Sequence, residues 1–345
     1  MESNLLPHAW GRPVVTAAIR SVPEDFQVDE EPGFTPDGEG QHVLLRIRKR
    51  NANTQWLARQ LARFAEVPAR DVGFAGLKDR CAVTTQWFSI DLAGKAEPDW
   101  SAFDSQDIQV IEVVRHGRKL RRGALRGNHF VLVLRQIEGN REKLEHRLHQ
   151  IRHNGVPNYF GEQRFGQNSS NLDQADGMFR GKIRVRDRHK RGLYLSAARS
   201  LLFNRVLAER VRNGTWQRIL PGEVVMLAGS RSFFTVDSLS EQIEQRFASG
   251  DILPTAPLWG RGRSAAQDQA LALETAALLE FQSWREGLES AGLKQERRPL
   301  QLQPGELAWE WTGEETLRLG FFLPAGSYAT VVLRELVAVM QPSPP

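Results

Sequence analysis

At 345 residues, with 41% hydrophobic and 25% charged side chains, the chain has the make-up of a soluble globular protein long enough for two domains. No apolar run could span a bilayer and the opening MESNLLPHAWGRP is neither basic nor apolar, so a membrane role is excluded and a cytoplasmic one expected. The single cysteine, Cys81, excludes an internal disulfide and a thiolate metal site, while a net charge of +5 leaves nucleic acid open as a partner.

The first third reads as strands around one helix. VVTAAIR, FQVDEE and HVLLRIR alternate apolar and polar residues with period two. Asn53 then reads as an N-cap, with Trp56, Leu57, Gln60, Leu61 and Phe64 on one helical face up to Pro68. Strands are predicted again at AVTTQWFSIDL, IQVIEVV and NHFVLVLRQI. NREKLEHRLHQIRHNG reads as a helix ended by Gly155 and Pro157. NYFGEQRFGQNSSN has the look of a polar, glycine-punctuated connector. After it come a long amphipathic helix at LYLSAARSLLFNRVLAERVRNG, a hairpin at EVVMLAGSRSFFTV and a second long helical stretch from SAAQDQ to LESAG. Strand character returns at ELAWEW and TLRLGFFL, and PAGSYATVVLRELV reads as a closing helix capped by Ser327. Strand-rich, helix-rich, strand-rich is the order expected when one domain is inserted into another.

Three basic runs with aromatics nearby, RIRKR (46–50), RHGRKLRRGALR (115–126) and RGKIRVRDRHKR (180–191), are the footprint of a phosphate backbone with unstacked bases. His146, His149 and His153 share a helical face, but HExxH spacing and a distant ligand are missing, so a metal is not expected. Glycine-rich pieces at 38–40 and 260–263 lack the rest of a P-loop or dinucleotide fingerprint, and no cofactor is expected. Cys81 reads as a small buried side chain.

GFAGLKDRCAVTTQ (73–86) is the most unusual stretch. Asp79 is a lone carboxylate between Lys78 and Arg80, and Gly73 and Gly76 leave room for another backbone or a nucleotide. The flanking cations would hold the acid ionised and attract phosphates on either side of a target nucleotide. Such a carboxylate suits nucleophilic attack or proton abstraction on a flipped-out base.

This stretch resembles the signature of the TruD family of tRNA pseudouridine synthases, in which an aspartate stands in a G-x-K-D-x-x-A-V-T-x-Q context. PEDFQVDE (23–30), PDGEGQHVL (36–44), GALRGNHF (123–130), GVPNYFGEQRFG (155–166), LYLSAARSLLFN (193–204) and LPAGSYAT (323–330) resemble further family blocks in family order. The resemblance implies an isomerase that detaches uracil from its ribose and rejoins it through carbon 5, acting on uridine 13 in the D-arm of tRNA without cofactor or metal. It implies a mixed α/β (α+β) fold with a mainly antiparallel sheet. The pseudouridine synthase catalytic domain would be discontinuous, 1–154 and 304–345, with a TRUD domain inserted at 155–303. Asp79 takes the catalytic position. Phe26, Asn128 and Phe130 take positions lining the uracil pocket, and Tyr328 an aromatic position where phenylalanine also occurs. Arg20 stands where the family has lysine, which keeps the charge and changes its reach. Substrate contacts are therefore expected from Arg20, Phe26, Lys78, Arg80, Asn128, Phe130 and Tyr328, in a monomer with no obligate protein partner. The competing readings are a non-catalytic RNA-binding or remodelling protein and an RNA methyltransferase. The intact KD, EDF and GNHF blocks oppose the first, and the missing cofactor loop opposes the second.

Overall fold

The computed structural model describes residues 6–340. In chain order the elements are β1 (Val15–Ile19), β2 (Phe26–Pro32), β3 (His42–Arg50), α1 (Thr54–Phe64), β4 (Val72–Phe74), β5 (Val83–Asp91), β6 (Ile108–His116), β7 (Leu125–Gly139) and α2 (Arg141–Asn154). Then follow β8 (Val156–Pro157), α3 (Ser170–Phe179), α4 (Arg188–Arg212), β9 (Val224–Leu227), β10 (Phe233–Thr235), α5 (Glu241–Ala248), β11 (Ile252–Leu258), α6 (Asp268–Ala277) and α7 (Gln282–Ser290). The chain closes with β12 (Glu296–Pro299), β13 (Gln301–Leu302), β14 (Gly305–Gly313), β15 (Thr316–Pro324), α8 (Ala329–Leu336) and β16 (Ala338–Val339). No described helix is long and apolar enough to cross a membrane.

The chain forms two compact units. One comprises Val14–His146, Pro304–Gly326 and Val337–Pro345, as far as these are described. It is built on a mixed sheet whose main path runs β14-β15-β7-β2-β5-β3-β6, so strands from both ends of the chain share one sheet. Its pairings are antiparallel except β2 with β5 and β1 with β16, which makes the fold mixed α/β with a mainly antiparallel sheet. α1 lies on this sheet because Leu57 and Leu61 face Leu45, Ile47, Phe88 and Ile90 in one cluster. Burying each such leucine is worth about 1.5–3 kcal/mol. Asn53 caps α1 as expected, its Oδ1 accepting from the Gln55 and Trp56 amides at 2.8 and 3.2 Å. The buried face differs from the one predicted: Trp56 is exposed, and Thr54, Ala58 and Ala62 fill the turns beside the leucines.

The other unit comprises Arg147–Gln303, Ser327–Leu336 and the described part of Met1–Pro13. It holds an antiparallel sheet in the order β10-β9-β11-β12 and a small β13-β8 pair, with α4 as the central helix. Leu195, Leu202, Phe203, Val206 and Leu207 of α4 are buried. The supposed connector after Pro157 contributes to the core at its aromatic residues, while Glu162, Gln163, Gln167 and Asn168 stay exposed. Tyr159, Phe160 and Phe165 are buried, and Asn204 of α4 fixes Phe160 by accepting from its amide at 2.8 Å and donating to its carbonyl at 3.0 Å. The second long helical stretch breaks into α6 and α7, because Leu278 and Phe281 both turn into the core between them. β11 escaped sequence reading because its two prolines, Pro254 and Pro257, argue against a strand. α8 begins at Ala329, two residues beyond the expected cap Ser327.

β4 shows what a short strand can demand. A Cβ on Gly73 would stand 2.5 Å from the Leu120 carbonyl oxygen and 2.6 Å from Ser89 Oγ. Gly73 is thus required by another backbone, whereas a Cβ on Gly76 would meet nothing nearer than Lys78 Nζ at 3.6 Å. Gly73→Ala should lower stability by about 1–3 kcal/mol through overpacking, and Gly76→Ala should cost far less. Thermal denaturation of the two variants compares them directly, and equal shifts would contradict the steric account.

Candidate active site

Asp79 stands in the loop 75–82, between β4 and β5. Polar groups from neighbouring elements hold that loop. Thr54 Oγ1, at the start of α1, donates to Gln86 Oε1 of β5 at 2.8 Å and accepts from the Lys78 amide at 3.1 Å. Gln86 Nε2 reaches the Gly76 carbonyl at 3.3 Å. Lys49 of β3 is fully buried, and its Nζ donates to the Ala52 carbonyl at 2.6 Å and lies 3.5 Å from the Asp79 carbonyl.

The cation that meets the Asp79 carboxylate is neither of its sequence neighbours. Arg20 Nη2 donates to Asp79 Oδ2 at 2.8 Å, with the side chains 28% and 35% exposed, so the pair is open enough for a ligand to reach. Arg20 has a φ of +57°, a left-handed conformation uncommon for a residue with a Cβ. Its guanidinium also lies over the Phe26 ring at 4.0 Å. Phe26 meets Phe130 edge-on at 6.1 Å, and Phe130 stacks on Phe321 at 5.5 Å. β-register places these rings: Val28 lies opposite Phe130 and Phe130 opposite Phe321, so alternate residues of β2, β7 and β15 share a face. Asn128, two residues before Phe130, sits on that face opposite Glu30 and Leu323, and its buried Oδ1 has no hydrogen-bond partner among the described residues.

Lys78 is turned inward. Its Nζ bonds Glu30 Oε2, with side chains only 7% and 1% exposed, so it is committed to the protein and does not face phosphates in this structure. Arg80 is exposed and makes no ion pair with a described residue. Cys81, expected to be buried, is exposed because it belongs to the loop and precedes β5. Among the described residues, no group of three or more His, Cys, Asp or Glu side chains is placed to hold a metal ion.

A family model described as tRNA pseudouridine synthase D (TruD) matches residues 4–174 and 169–336. Curated relatives called tRNA pseudouridine synthase D include one from Nitrosococcus oceani, 52% identical over 98% of this chain and 95% of its own. Another, from Methylococcus capsulatus, is 52% identical over 96% of this chain and 94% of its own. The chain belongs to the TruD family. A TruD crystal structure from Methanosarcina mazei, described as a putative tRNA pseudouridine synthase D, has the same fold, with a TM-score of 0.75, 22% identity and 98% coverage of both chains.

Of the TruD positions inferred from sequence, Arg20, Phe26, Lys78, Asp79, Arg80, Asn128 and Phe130 lie in the first unit described, and Tyr328 in the other. In its own unit Tyr328 Oη accepts from Arg164 Nε at 3.0 Å, and its ring meets Phe160 edge-on at 6.2 Å. Sequence reading missed Glu30, Lys49 and Phe321. A signal existed for the first two: each occupies an inward position of an alternating strand, following Phe26 and Val28 or Leu45 and Ile47. A charged residue at such a position needs a buried partner.

The Lys78–Glu30 pair sets a test. Lys78→Met leaves a carboxylate buried and unpaired and should cost about 3–5 kcal/mol, while the double change Lys78→Met/Glu30→Leu recovers much of the loss. Urea denaturation of the two singles and the double measures this, and near-additive effects would show that the pair contributes nothing. Lys49 sets another. Burial, then the charge of Lys78, lowers its pKa from 10.5 to about 8, against a smaller opposing pull from Asp79. Below about pH 8 folded and unfolded chains are both protonated and the buried charge weighs fully on the fold. Between there and 10.5 the unfolded chain holds the extra proton, so stability rises with pH. Lys49→Met should remove that rise, read as the difference in denaturation midpoint from the parent at pH 7.5 and 9.5. An unchanged difference would mean that Lys49 does not titrate in this way.

Proposed function

We propose that the protein is a tRNA pseudouridine synthase, an isomerase acting on uridine 13 of the D-arm, with Asp79 as its catalytic residue. The observation that carries this reading is an accessible carboxylate, Asp79, bonded by Arg20, whose guanidinium in turn covers the first of three packed rings, Phe26, Phe130 and Phe321. An aromatic wall beside a held carboxylate suits a base that has left its stack, a displacement that costs a few kcal/mol. Phe130 is buried and already stacked on Phe321, so a base would use what remains of that ring or Tyr328. Such stacking could return about 1–3 kcal/mol of the cost. Asn128, with an unpartnered buried oxygen, is suited to accept from a uracil N–H.

The reaction breaks the bond from ribose C1′ to N1, forms one from C1′ to C5, and releases the C5 proton to solvent while N1 takes up another, so that the product is an isomer of the substrate. Nothing is oxidised or reduced, and the leaving base is also the incoming nucleophile. The chemistry therefore needs no cofactor or metal. Three routes are open to Asp79: addition to the base, attack on C1′, or proton abstraction at the neighbouring ribose carbon. Arg20 holds the carboxylate in place for each. Arg80 and Tyr328 would contact the RNA, while Lys78 serves by fixing the loop through Glu30. We further read 155–303 as an inserted TRUD domain in a discontinuous catalytic domain. The return of the chain to the first sheet at β14 and β15 supports this reading. A monomeric, cytoplasmic enzyme with tRNA as its partner completes the proposal.

Asp79→Ala and Asp79→Asn should fold and bind tRNA about as well as the parent, since removing a negative charge does not weaken attraction to phosphate. Both should release no tritium from tRNA labelled at uridine C5 in single turnover with excess enzyme. Release by the parent without a methyl donor supports the isomerase, release only with a donor a methyltransferase, and no release a binding protein. Conversion by Asp79→Ala above a trace would move the reaction to another residue.

A further inference from the structure

The three basic runs have different fates. In the first, Arg46 pairs with Asp29, Arg50 with Glu24, and Lys49 is buried. In the second, Arg115 pairs with Glu97, Arg126 with Glu31, Arg122 covers Phe74 and Lys119 donates to the Arg70 carbonyl. Arg118 and Arg121 are exposed with no ion pair to a described residue, so this run is only partly neutralised. In the third, only Arg180 has an ion pair, with Asp176. Arg184, Arg186, Arg188 and Arg191 are exposed and pair with no described carboxylate. The one acid within the run, Asp187, is occupied in capping α4 through the His189 and Lys190 amides. Exposed like charges at this density repel one another, and an anion relieves that repulsion.

The segment before α4, residues 183–187, has no regular secondary structure, and Asp187 at its end is extended. Ile183 packs toward Gly177, where an added Cβ would lie 3.4 Å from it, and Val185 is half-buried between the exposed Arg184 and Arg186. Arg191 then lines a cleft of about 380 Å³ with Phe179, Met178, Ser283, Glu286 and Gly287. The Phe179 ring lies directly against α7, because Gly287 has no Cβ: one added there would stand 2.2 Å from the ring. The cleft thus offers an aromatic ring, a cation and a carboxylate, Glu286, that already accepts from Gln282 at 2.9 Å. That lining suits a base, with its ring face and N–H donors, better than a phosphate.

We propose that this segment and cleft form an RNA-holding surface separate from the Asp79 site. Arg184, Arg186 and Arg188 neutralise consecutive phosphates of a non-helical stretch, and the cleft takes one unpaired base. This rests on the RNA-directed function proposed above and adds to it a place where RNA is held within the second unit.

The test is tRNA binding by the whole chain, followed by fluorescence anisotropy across a salt series. Arg184→Ala/Arg186→Ala/Arg188→Ala should weaken affinity at least tenfold and flatten the slope of log affinity against log salt by about 2, at roughly 0.7–0.9 per phosphate contact. Arg231→Ala/Arg261→Ala/Arg263→Ala removes the same charge from exposed positions of the same unit and should leave the slope intact. Ser283→Trp, which fills the cleft, should weaken binding with no change of slope. A first triple that binds like the parent, or like the second triple, overturns the proposal, and an unaffected Ser283→Trp overturns the role of the cleft. Tritium release by the parent separates the two readings. Release with an unaffected first triple sinks only this surface, whereas no release with a weakened first triple sinks only the enzyme.

Discussion

The Asp79 loop has no regular hydrogen bonding of its own, so polar side chains buried beneath it must supply what a strand or helix would. Thr54, Gln86 and Lys49 do this from three different elements, bonding the Lys78 amide and approaching the Gly76 and Asp79 carbonyls. The arrangement needs β3 and β5 adjacent and in register, with Lys49 opposite Thr84 and Ile47 opposite Gln86. It also needs α1 to start where Thr54 can reach across. The position of one carboxylate therefore depends on a sheet pairing, a helix start and a buried lysine together.

Charge is handled in two ways around this loop. Lys78 and Glu30 are paired out of solvent, where their value lies in avoiding an unpaired charge more than in net stability. Arg20 and Asp79 are paired at the surface, where water and salt weaken the bond and a ligand can compete for either partner. One pair is kept dry and the other accessible, although Lys78 of the first and Asp79 of the second are neighbours in sequence. The second unit repeats the dry solution, with Arg210 on Glu223 and Arg297 on Glu274.

Period-two alternation marked β1, β2 and β3, because a half-buried strand writes its two faces into consecutive residues, and β-branched and aromatic runs marked β5, β6, β7, β14 and β15. The side-chain cap of Asn53 and the stop at Gly155, which has a φ of +69°, were equally local and equally readable. Elements whose residues are buried on all sides, or that contain prolines, carried no such signal. Tyr159 and Phe160 passed for a connector, and β11 went unseen, for that reason.

The blocks around Asp79, Phe26, Asn128 and Phe130 were visible in the sequence because each is a short run of residues whose types are set locally. Their mutual placement was not, since it depends on strand order and register that no local run encodes. The sequence showed two cations beside Asp79; only the folded chain decided that Lys78 turns away to Glu30 and that Arg20, distant in sequence, takes its place. Likewise, three basic runs looked alike as letters, and their difference appeared only in the fold, where two arginines of each of the first two meet carboxylates and in the third only Arg180 does. Composition and periodicity determine which residues can be buried or charged. Which charges meet is a property of distance, and distance belongs to the tertiary structure.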